Sequence, residues 1–451
     1  MIRRTAADLA AFLGAELRGD GSAVVRGVAI DSRAVKTGDL FVALPGARVD
    51  GHEFVSRAAD AGAAAALVSR PADAAVPQIV APETLPALQR IAARERAAAR
   101  YRLAAVTGSI GKTSTKEIAA SLLATTFRTG FTGGNRNSET GFPVELCNQP
   151  DEIEWMVAEL GMSHAGELDR LGAIAQPDAL LYTVVAPVHL EFFRDVDAIA
   201  DAKAELIGHL RAAGTLVLNA ADPRVAAFAP RFAGRVVRFG LPGGSDAWIE
   251  AYEDRGLLGS RFAIAGTLAR VDAECPLAGR HQADNALAAA ALALAVGVPA
   301  ARIAEAIAHL RPARRRGEIH RLGGGLTLVD DSYNSSPEAA KALLGLLAST
   351  PGRRVAVLGE MLELGAASLD LHREVGARLA ASADVAVTVG GAGAAALAVA
   401  AAAIGARRVP DAEAALALLR GMLKPGDVVL VKGSRGIGLD RVVDGLLEGV
   451  C

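Results

Sequence analysis

Apolar and polar positions along the chain alternate between two rhythms. One is a short, nearly continuous apolar run bounded by glycine or polar residues. The other is a longer stretch with helical spacing. Runs at Leu103–Val106, Trp155–Leu160, Ala179–Val185, Thr215–Asn219 and Val236–Phe239 read as strands covered on both faces. The helical stretches between them predict a mostly parallel sheet. Before this block the pattern predicts a helix over Ala6–Leu13, strands at Val24–Ile30 and Asp39–Ala43, a helix at Phe54–Ala61 and a strand at Gln78–Ala81. An arginine-rich helix, Leu85–Arg100, leads into the central block. Residues 245–275 instead suggest short antiparallel strands such as Ala247–Tyr252 and Arg261–Ala265. The α/β rhythm returns at Leu326–Val329, Arg354–Leu358, Val385–Val389 and Val428–Val431.

The expected fold is therefore α/β in three domains. These are a small α/β domain over 1–83, a central parallel-sheet domain over 84–311, and a Rossmann-like α/β domain over 312–451. The uncharged run Val385–Ala406 is long enough to span a bilayer, but Gly390, Gly391 and Gly393 break it. Strand, turn, helix is the better reading, and no membrane span is expected.

Bulk properties narrow the function. Net charge is −2, from 48 basic and 50 acidic residues, so no basic stripe points to nucleic acid. Cys147, Cys275 and Cys451 are far apart and odd in number, which disfavours a metal knuckle or a disulfide framework. A reducing cytoplasm fits.

The chemistry begins at Thr107-Gly108-Ser109-Ile110-Gly111-Lys112-Thr113-Ser114, between a strand and a helix. The glycines let backbone N–H groups turn inward, and the helix N-terminus adds its positive dipole end. Lys112 can reach the β- and γ-phosphates, and the Thr113 hydroxyl can bind Mg²⁺. Val106 stands where the longer P-loop pattern has its first glycine, so this is the compact form. Glu159, ending the run Trp155–Glu159, is the candidate metal carboxylate.

Other residues are individually ambiguous. On a helix read over Ala198–Leu210, Lys203 shares its face with Ile199, Leu206, Ile207 and Leu210. It must snorkel to water, the default reading from spacing, or change its chemistry by carbamylation. His189 lies just upstream as a second metal candidate. His281 and Asn285 open an Ala-rich helix; Asn285 could pair with adenine or simply cap. Asp330-Asp331 follow the strand Gly325–Val329 and, with Arg316 from the cluster Arg311–Arg316, could hold ribose and phosphate or form an acidic turn. Lys432-Gly433-Ser434-Arg435 offer cations and a hydroxyl at another strand end, suited to a carboxylate-bearing substrate.

Taken together, and in order from end to end, these segments resemble the MurF type of the Mur ligase family. Asp31-Ser32-Arg33, Gly38–Leu44 and Asp50-Gly51-His52 resemble its uridine-nucleotide-binding domain. Asn135–Pro143, Asp331–Pro337, Gly359-Glu360-Met361 with Glu363-Leu364-Gly365, and Lys432–Arg435 resemble later motifs. Ile110, Gln282 and Ser335-Ser336 depart from the usual residues there.

The resemblance implies an ATP-dependent amide-bond ligase. Such an enzyme joins D-alanyl-D-alanine to UDP-N-acetylmuramoyl-tripeptide through an acyl phosphate, in the cytoplasm and as a monomer. It implies two Mg²⁺ ions with Thr113, Glu159 and His189 as contacts, and a carbamylated Lys203. Asn285, Arg316, Asp331 and Asn334 would face the nucleotide. Ser32, Arg33, His52, Asn137, Lys432, Ser434 and Arg435 would face the substrates. A sister ligase adding a single amino acid is the nearest alternative. A GTPase is disfavoured because no Asn-Lys pair occurs in the chain.

Overall fold

The computed structural model describes residues 2–46 and 49–449; Cys451 lies outside them. Its centre is a six-stranded parallel sheet. In spatial order the strands are Arg235–Phe239, Thr215–Asn219, Ala179–Tyr182, Arg102–Thr107, Trp155–Glu159 and Thr129–Phe131. These strands read as unbroken apolar runs because both faces are covered. Leu103, Ala105, Met156 and Leu180 belong to one buried cluster, and Ala104, Val106, Val157 and Leu181 to another.

The order reverses at Arg102–Thr107. Trp155–Glu159 pairs with it on one side and the later Ala179–Tyr182 on the other, which opens a crevice beyond the strand ends. The loop after Arg102–Thr107 sits at that crevice.

The N-terminal sheet is five-stranded, in the order Glu16–Arg18, Gln78–Val80, Ala65–Val68, Asp39–Val42 and Gly27–Ala29, antiparallel only at its first pair. The predicted helix at Ala6–Leu13 is present with a full capping box between Thr5 and Asp8. The predicted strand Val24–Ile30 is split into Val24–Val25 and Gly27–Ala29, which join different sheets.

Helix Thr84–Ala98 bridges to the central sheet. One apolar cluster runs without a break from Ile2 through Leu88 and Ile91 to Phe228. Arg96 rivets this junction: it is buried and donates to the carbonyls of Ala175, Tyr101 and Gln176 and to Asp178 at 2.9 Å.

Residues 245–275 form the expected antiparallel strands, with Val271–Cys275 as a third. The C-terminal sheet is six-stranded: Glu318–Arg321, Thr327–Asp331, Val428–Lys432, Arg354–Gly359, Val385–Val389 and Arg407–Val409. Only its first pair is antiparallel. The run from Val385 is a strand, a glycine turn and the helix Ala392–Ala400, and no helix among the described residues is long and apolar enough to cross a membrane.

Two expectations change. The helix read over Ala198–Leu210 is α-helical only over Val196–Ala204 and tightens to a 3₁₀ turn through His209. Asp330 and Asp331 are the last residues of their strand, not a following turn, because each is paired across to Val431 or Lys432.

Candidate active site

Gly108 is the pivot of the phosphate loop. Its φ is +142°, and a Cβ there would meet Thr183 Oγ1 at 2.0 Å, so only glycine fits. Thr183, just past the neighbouring strand, donates to Ile110 O at 2.7 Å and holds the loop's far side. Ser109 N donates to Val184 O and Ser109 Oγ to Ala186 O at 3.1 Å. Thr107 Oγ1 is tied to Leu160 O at 2.8 Å. The loop is thus clamped between the segments that follow both flanking strands.

Helix Lys112–Ala124 opens from Gly111, whose φ is +82°. A Cβ on Gly111 would meet Asn285 Oδ1 at 2.6 Å. Asn285 therefore lies against the loop, accepting from Thr115 Oγ1 at 3.3 Å and donating to Gln282 at 3.2 Å. Thr113 is buried in the first turn of the helix and Ser114 is half-buried beside it.

Two lysines meet at one carbonyl. Lys112 Nζ donates to Gly108 O at 2.9 Å and Ser109 O at 3.0 Å, and Lys203 Nζ donates to the same Gly108 O at 3.0 Å. Lys203 is only 1% exposed, so it does not snorkel. Burial, then the neighbouring Lys112 charge, push its ammonium well below the ordinary lysine range. Burial likewise lowers Lys112, opposed by Glu159 and reinforced by Arg316. Arg316, from the C-terminal segment, is thereby within charge range of the loop.

Glu159 is buried. Asn137 Nδ2 donates to its Oε1 at 2.6 Å, and its backbone N–H donates to Thr132 Oγ1 at 3.0 Å. Glu159 Oε2 is buried with no hydrogen-bond partner. Native proteins leave few such atoms orphaned, and a cation would satisfy this one. His189 is half-buried, with Nδ1 on Glu363 Oε2 at 2.5 Å. Burial first, then Lys112, lower its pKa against the pull of Glu363, which favours the neutral ring that a metal requires. The donor set of Thr113, Glu159 and His189 is suited to a hard divalent cation beside phosphates.

The C-terminal strand ends bring more groups together. Lys432 is buried and paired with Asp331, and it donates to Asn334 O at 2.9 Å. His281 feels the charges of both Asp331 and Lys432 after the larger effect of burial, which lowers its pKa. Arg316 stacks over Tyr333 at 4.3 Å, and Arg435 donates to the Tyr333 hydroxyl at 3.1 Å. Ser434 Oγ accepts from Leu362 N at 3.0 Å.

The remaining expected substrate residues lie in the N-terminal sheet region. Ser32 is buried, and exposed Arg33 is paired with Asp31 at 2.7 Å, which holds that carboxyl down to about 2. His52 is buried with both ring nitrogens engaged: Nδ1 with Asp50 at 2.7 Å, and Nε2 accepting from Ser69 N at 2.9 Å. This ring braces the loop that carries Asp50. Asn137, expected at the substrate, places its amide nitrogen on Glu159.

Three residues escaped the sequence reading, Thr183, Thr132 and Lys116, and Glu363, quoted there only within a resembling motif, had no role assigned. Lys116 lies one turn beyond Lys112, fully buried, donating to Thr132 O at 2.7 Å. Of those three, only Thr183 carried a local signal, a hydroxyl near the end of the predicted apolar run Ala179–Val185.

Known proteins match this arrangement along the whole chain. Family profiles described as Mur ligase family catalytic domain, Mur ligase middle domain and Mur ligase glutamate ligase domain match residues 24–107, 106–293 and 315–435. The UDP-N-acetylmuramoyl-tripeptide–D-alanyl-D-alanine ligase of Mycobacterium tuberculosis H37Rv is 36% identical over 99% of this chain and 98% of its own. A crystal structure of MurF from Acinetobacter baumannii has a TM-score of 0.89 at 29% identity, covering 99% of each chain. MurF from Thermotoga maritima, solved in complex with ADP, has a TM-score of 0.80 at 29% identity over 94% of this chain and 98% of that one.

Proposed function

The chain belongs to the Mur ligase family, and from that premise we propose that it is the ATP-dependent ligase that joins D-alanyl-D-alanine to UDP-N-acetylmuramoyl-tripeptide. The observation that carries the site is the meeting of Lys112, Lys203, Glu159 and His189 at the mouth of a glycine-pivoted phosphate loop.

A carboxylate is a poor electrophile, so ATP must supply a leaving group. An oxygen of the tripeptide's terminal carboxylate attacks the γ-phosphorus, the bond to ADP breaks, and an acyl phosphate results. The free amine of D-alanyl-D-alanine then attacks the acyl carbon. Phosphate leaves with the C–O electrons, and the new nitrogen loses a proton to give the amide. The loop's N–H groups and Lys112 hold the phosphates and offset developing negative charge. Thr113, Glu159 and His189 are the residues that would hold Mg²⁺, which when bound neutralises phosphate oxygens. Arg316, stacked on Tyr333, and Asp331, fixed by Lys432, would close over the nucleotide from the C-terminal sheet, with Asn285 and Asn334 along its edge. Ser434 and Arg435 would meet the incoming dipeptide's carboxylate, and residues 1–83 would take the uridine nucleotide.

Lys203 is suited to carbamylation. Burial and the Lys112 charge lower its pKa and so favour the neutral amine, the form able to add to CO₂. The nitrogen bonds to the carbon and loses a proton to solvent, and the resulting anion would lie beside Lys112 as an oxygen donor.

The reaction would run in the cytoplasm, which supplies ATP and UDP-linked precursors and would keep free thiols such as those of Cys147 and Cys275 reduced. One chain supplies every group named, so a monomer suffices. Phosphate release from ATP with the muramoyl tripeptide tests the assignment. D-Alanyl-D-alanine should support turnover and single amino acids should not. Faster turnover with a single amino acid would make this a sister ligase.

A further inference from the structure

The segment Gly359–Gly365 is built as a bridge. Glu360 accepts from the N–H groups of Gly391 at 2.7 Å and Gly393 at 2.8 Å, anchoring the segment to the start of helix Ala392–Ala400. Met361 N donates to buried His372 at 2.9 Å, and Leu362 N donates to Ser434 Oγ at 3.0 Å. These bonds aim the following residues at the central sheet's crevice. There Glu191 N donates to Glu363 O at 3.3 Å, and Gly365 lies against Leu190.

Glu363 then reaches His189 Nδ1 at 2.5 Å. Both residues have left-handed backbones, with φ of +62° and +58°. They are two of four such non-glycine residues among the described ones. Side chains rarely tolerate this conformation, and it concentrates where a site must hold a fixed geometry.

A carboxylate only accepts, so the shared proton is the histidine's own Nδ1–H. Nε2 is then left with its lone pair, and metal-binding histidines are commonly oriented by such a carboxylate on the other nitrogen.

We propose that Glu363 is a positioning residue that fixes the tautomer and direction of His189. The cation site of the central sheet is then complete only when the segment Gly359–Gly365 is docked. This rests on His189 being a metal contact, and it adds that the C-terminal sheet controls that contact.

The test uses the full chain with Mn²⁺ as probe and a non-hydrolysable ATP analogue. Mn²⁺ affinity is read by paramagnetic resonance, and the His189 tautomer by ¹⁵N shifts of its ring. Glu363→Ala should weaken Mn²⁺ about 10- to 100-fold and remove the Nδ1–H signature. Glu363→Gly should do the same while easing the left-handed backbone, so a folding defect cannot mimic the result. In Glu363→Gln the amide oxygen still accepts, and the tautomer should persist. If Ala and Gly variants bind Mn²⁺ as tightly as the parent or tighter, while His189→Ala binds weakly, the positioning role is overturned. If His189→Ala itself binds Mn²⁺ normally, the histidine is not a metal contact, and both ideas fall.

Discussion

Asn137 donates to one oxygen of Glu159 at 2.6 Å and leaves the other oxygen buried and unpartnered. The amide fixes the carboxylate's rotation and so holds the orphaned oxygen in one direction, where the proposed Mg²⁺ would meet it. Asn137→Ala should lower Mg²⁺ affinity and kcat/KM about 10- to 100-fold. Asn137→Asp should be worse, because a like charge beside Glu159 favours protonation of the pair. The Mg²⁺ dependence of phosphate release measures both, and rescue by high Mg²⁺ is expected for Asn137→Ala.

Lys203 donates to a carbonyl but faces no carboxylate in its charge environment, only the like charge of Lys112. Its folded pKa is depressed, so between that value and the ordinary lysine value the unfolded chain binds more protons. Stability therefore rises with pH across that window. In CO₂-depleted buffer Lys203→Met should gain about 1 kcal/mol or more at neutral pH, with the advantage shrinking as pH rises. The same variant should lose nearly all ligase activity. Urea midpoints in neutral and alkaline buffer check the first claim, and phosphate release the second. A variant less stable than the parent at neutral pH would contradict it.

Why the loop could be read from sequence, and Lys203 could not, has a physical reason. A glycine-pivoted turn between strand and helix is local: Gly108, Gly111 and Lys112 need only their neighbours to declare a phosphate site. The fate of Lys203 depends on a carbonyl far away in sequence and on a helix that tightens after Ala204, so spacing alone favoured snorkelling. The parallel strands were legible because burial on both faces makes them apolar throughout. Edge strand Glu318–Arg321 was not, since three of its four residues are polar. Its pairing with Asp330, together with that of Asp331 and Lys432 on the other side, carries the acidic strand two residues beyond its apolar run. The role of Asn137 was hidden because a hydrogen bond to Glu159 leaves no pattern in either segment.

Gly108 leaves no room for a methyl group. Gly108→Ala places Cβ against Thr183 Oγ1 and imposes a φ that alanine resists. The strain should cost about 1–3 kcal/mol of stability and abolish ATP binding by calorimetry. Adding Thr183→Gly removes the steric conflict but not the backbone strain. The double variant should regain part of the stability and little of the binding.

Arg96 has no part in the chemistry, yet it serves four acceptors at the junction of helix Thr84–Ala98 with the central sheet. Arg96→Met keeps the buried stem and removes every donor. Stranding these acceptors should cost about 3 kcal/mol or more. Urea denaturation should show the loss, while the folded fraction keeps its KM for ATP. A raised KM would mean that the junction tunes the loop as well as holding it.

Lys432 and Asp331 offer a sharper test of how the C-terminal sheet acts. Their strands pair in register, and the ammonium of Lys432, itself buried, is satisfied by the carboxylate and by Asn334 O. If Lys432 works by holding Asp331 toward the nucleotide, removing either one strands the other. Lys432→Met leaves a carboxylate without its partner, and Asp331→Asn leaves a buried cation. The double variant removes both charges and should cost less than the two single losses added together. The coupling should be about 1–3 kcal/mol in kcat/KM for ATP. If the losses instead add within about 0.5 kcal/mol, the residues act independently, and Lys432 addresses a substrate directly. Measuring kcat/KM for D-alanyl-D-alanine on the same four proteins assigns it, since only a direct contact would make Lys432→Met raise the dipeptide KM while leaving the ATP KM unchanged.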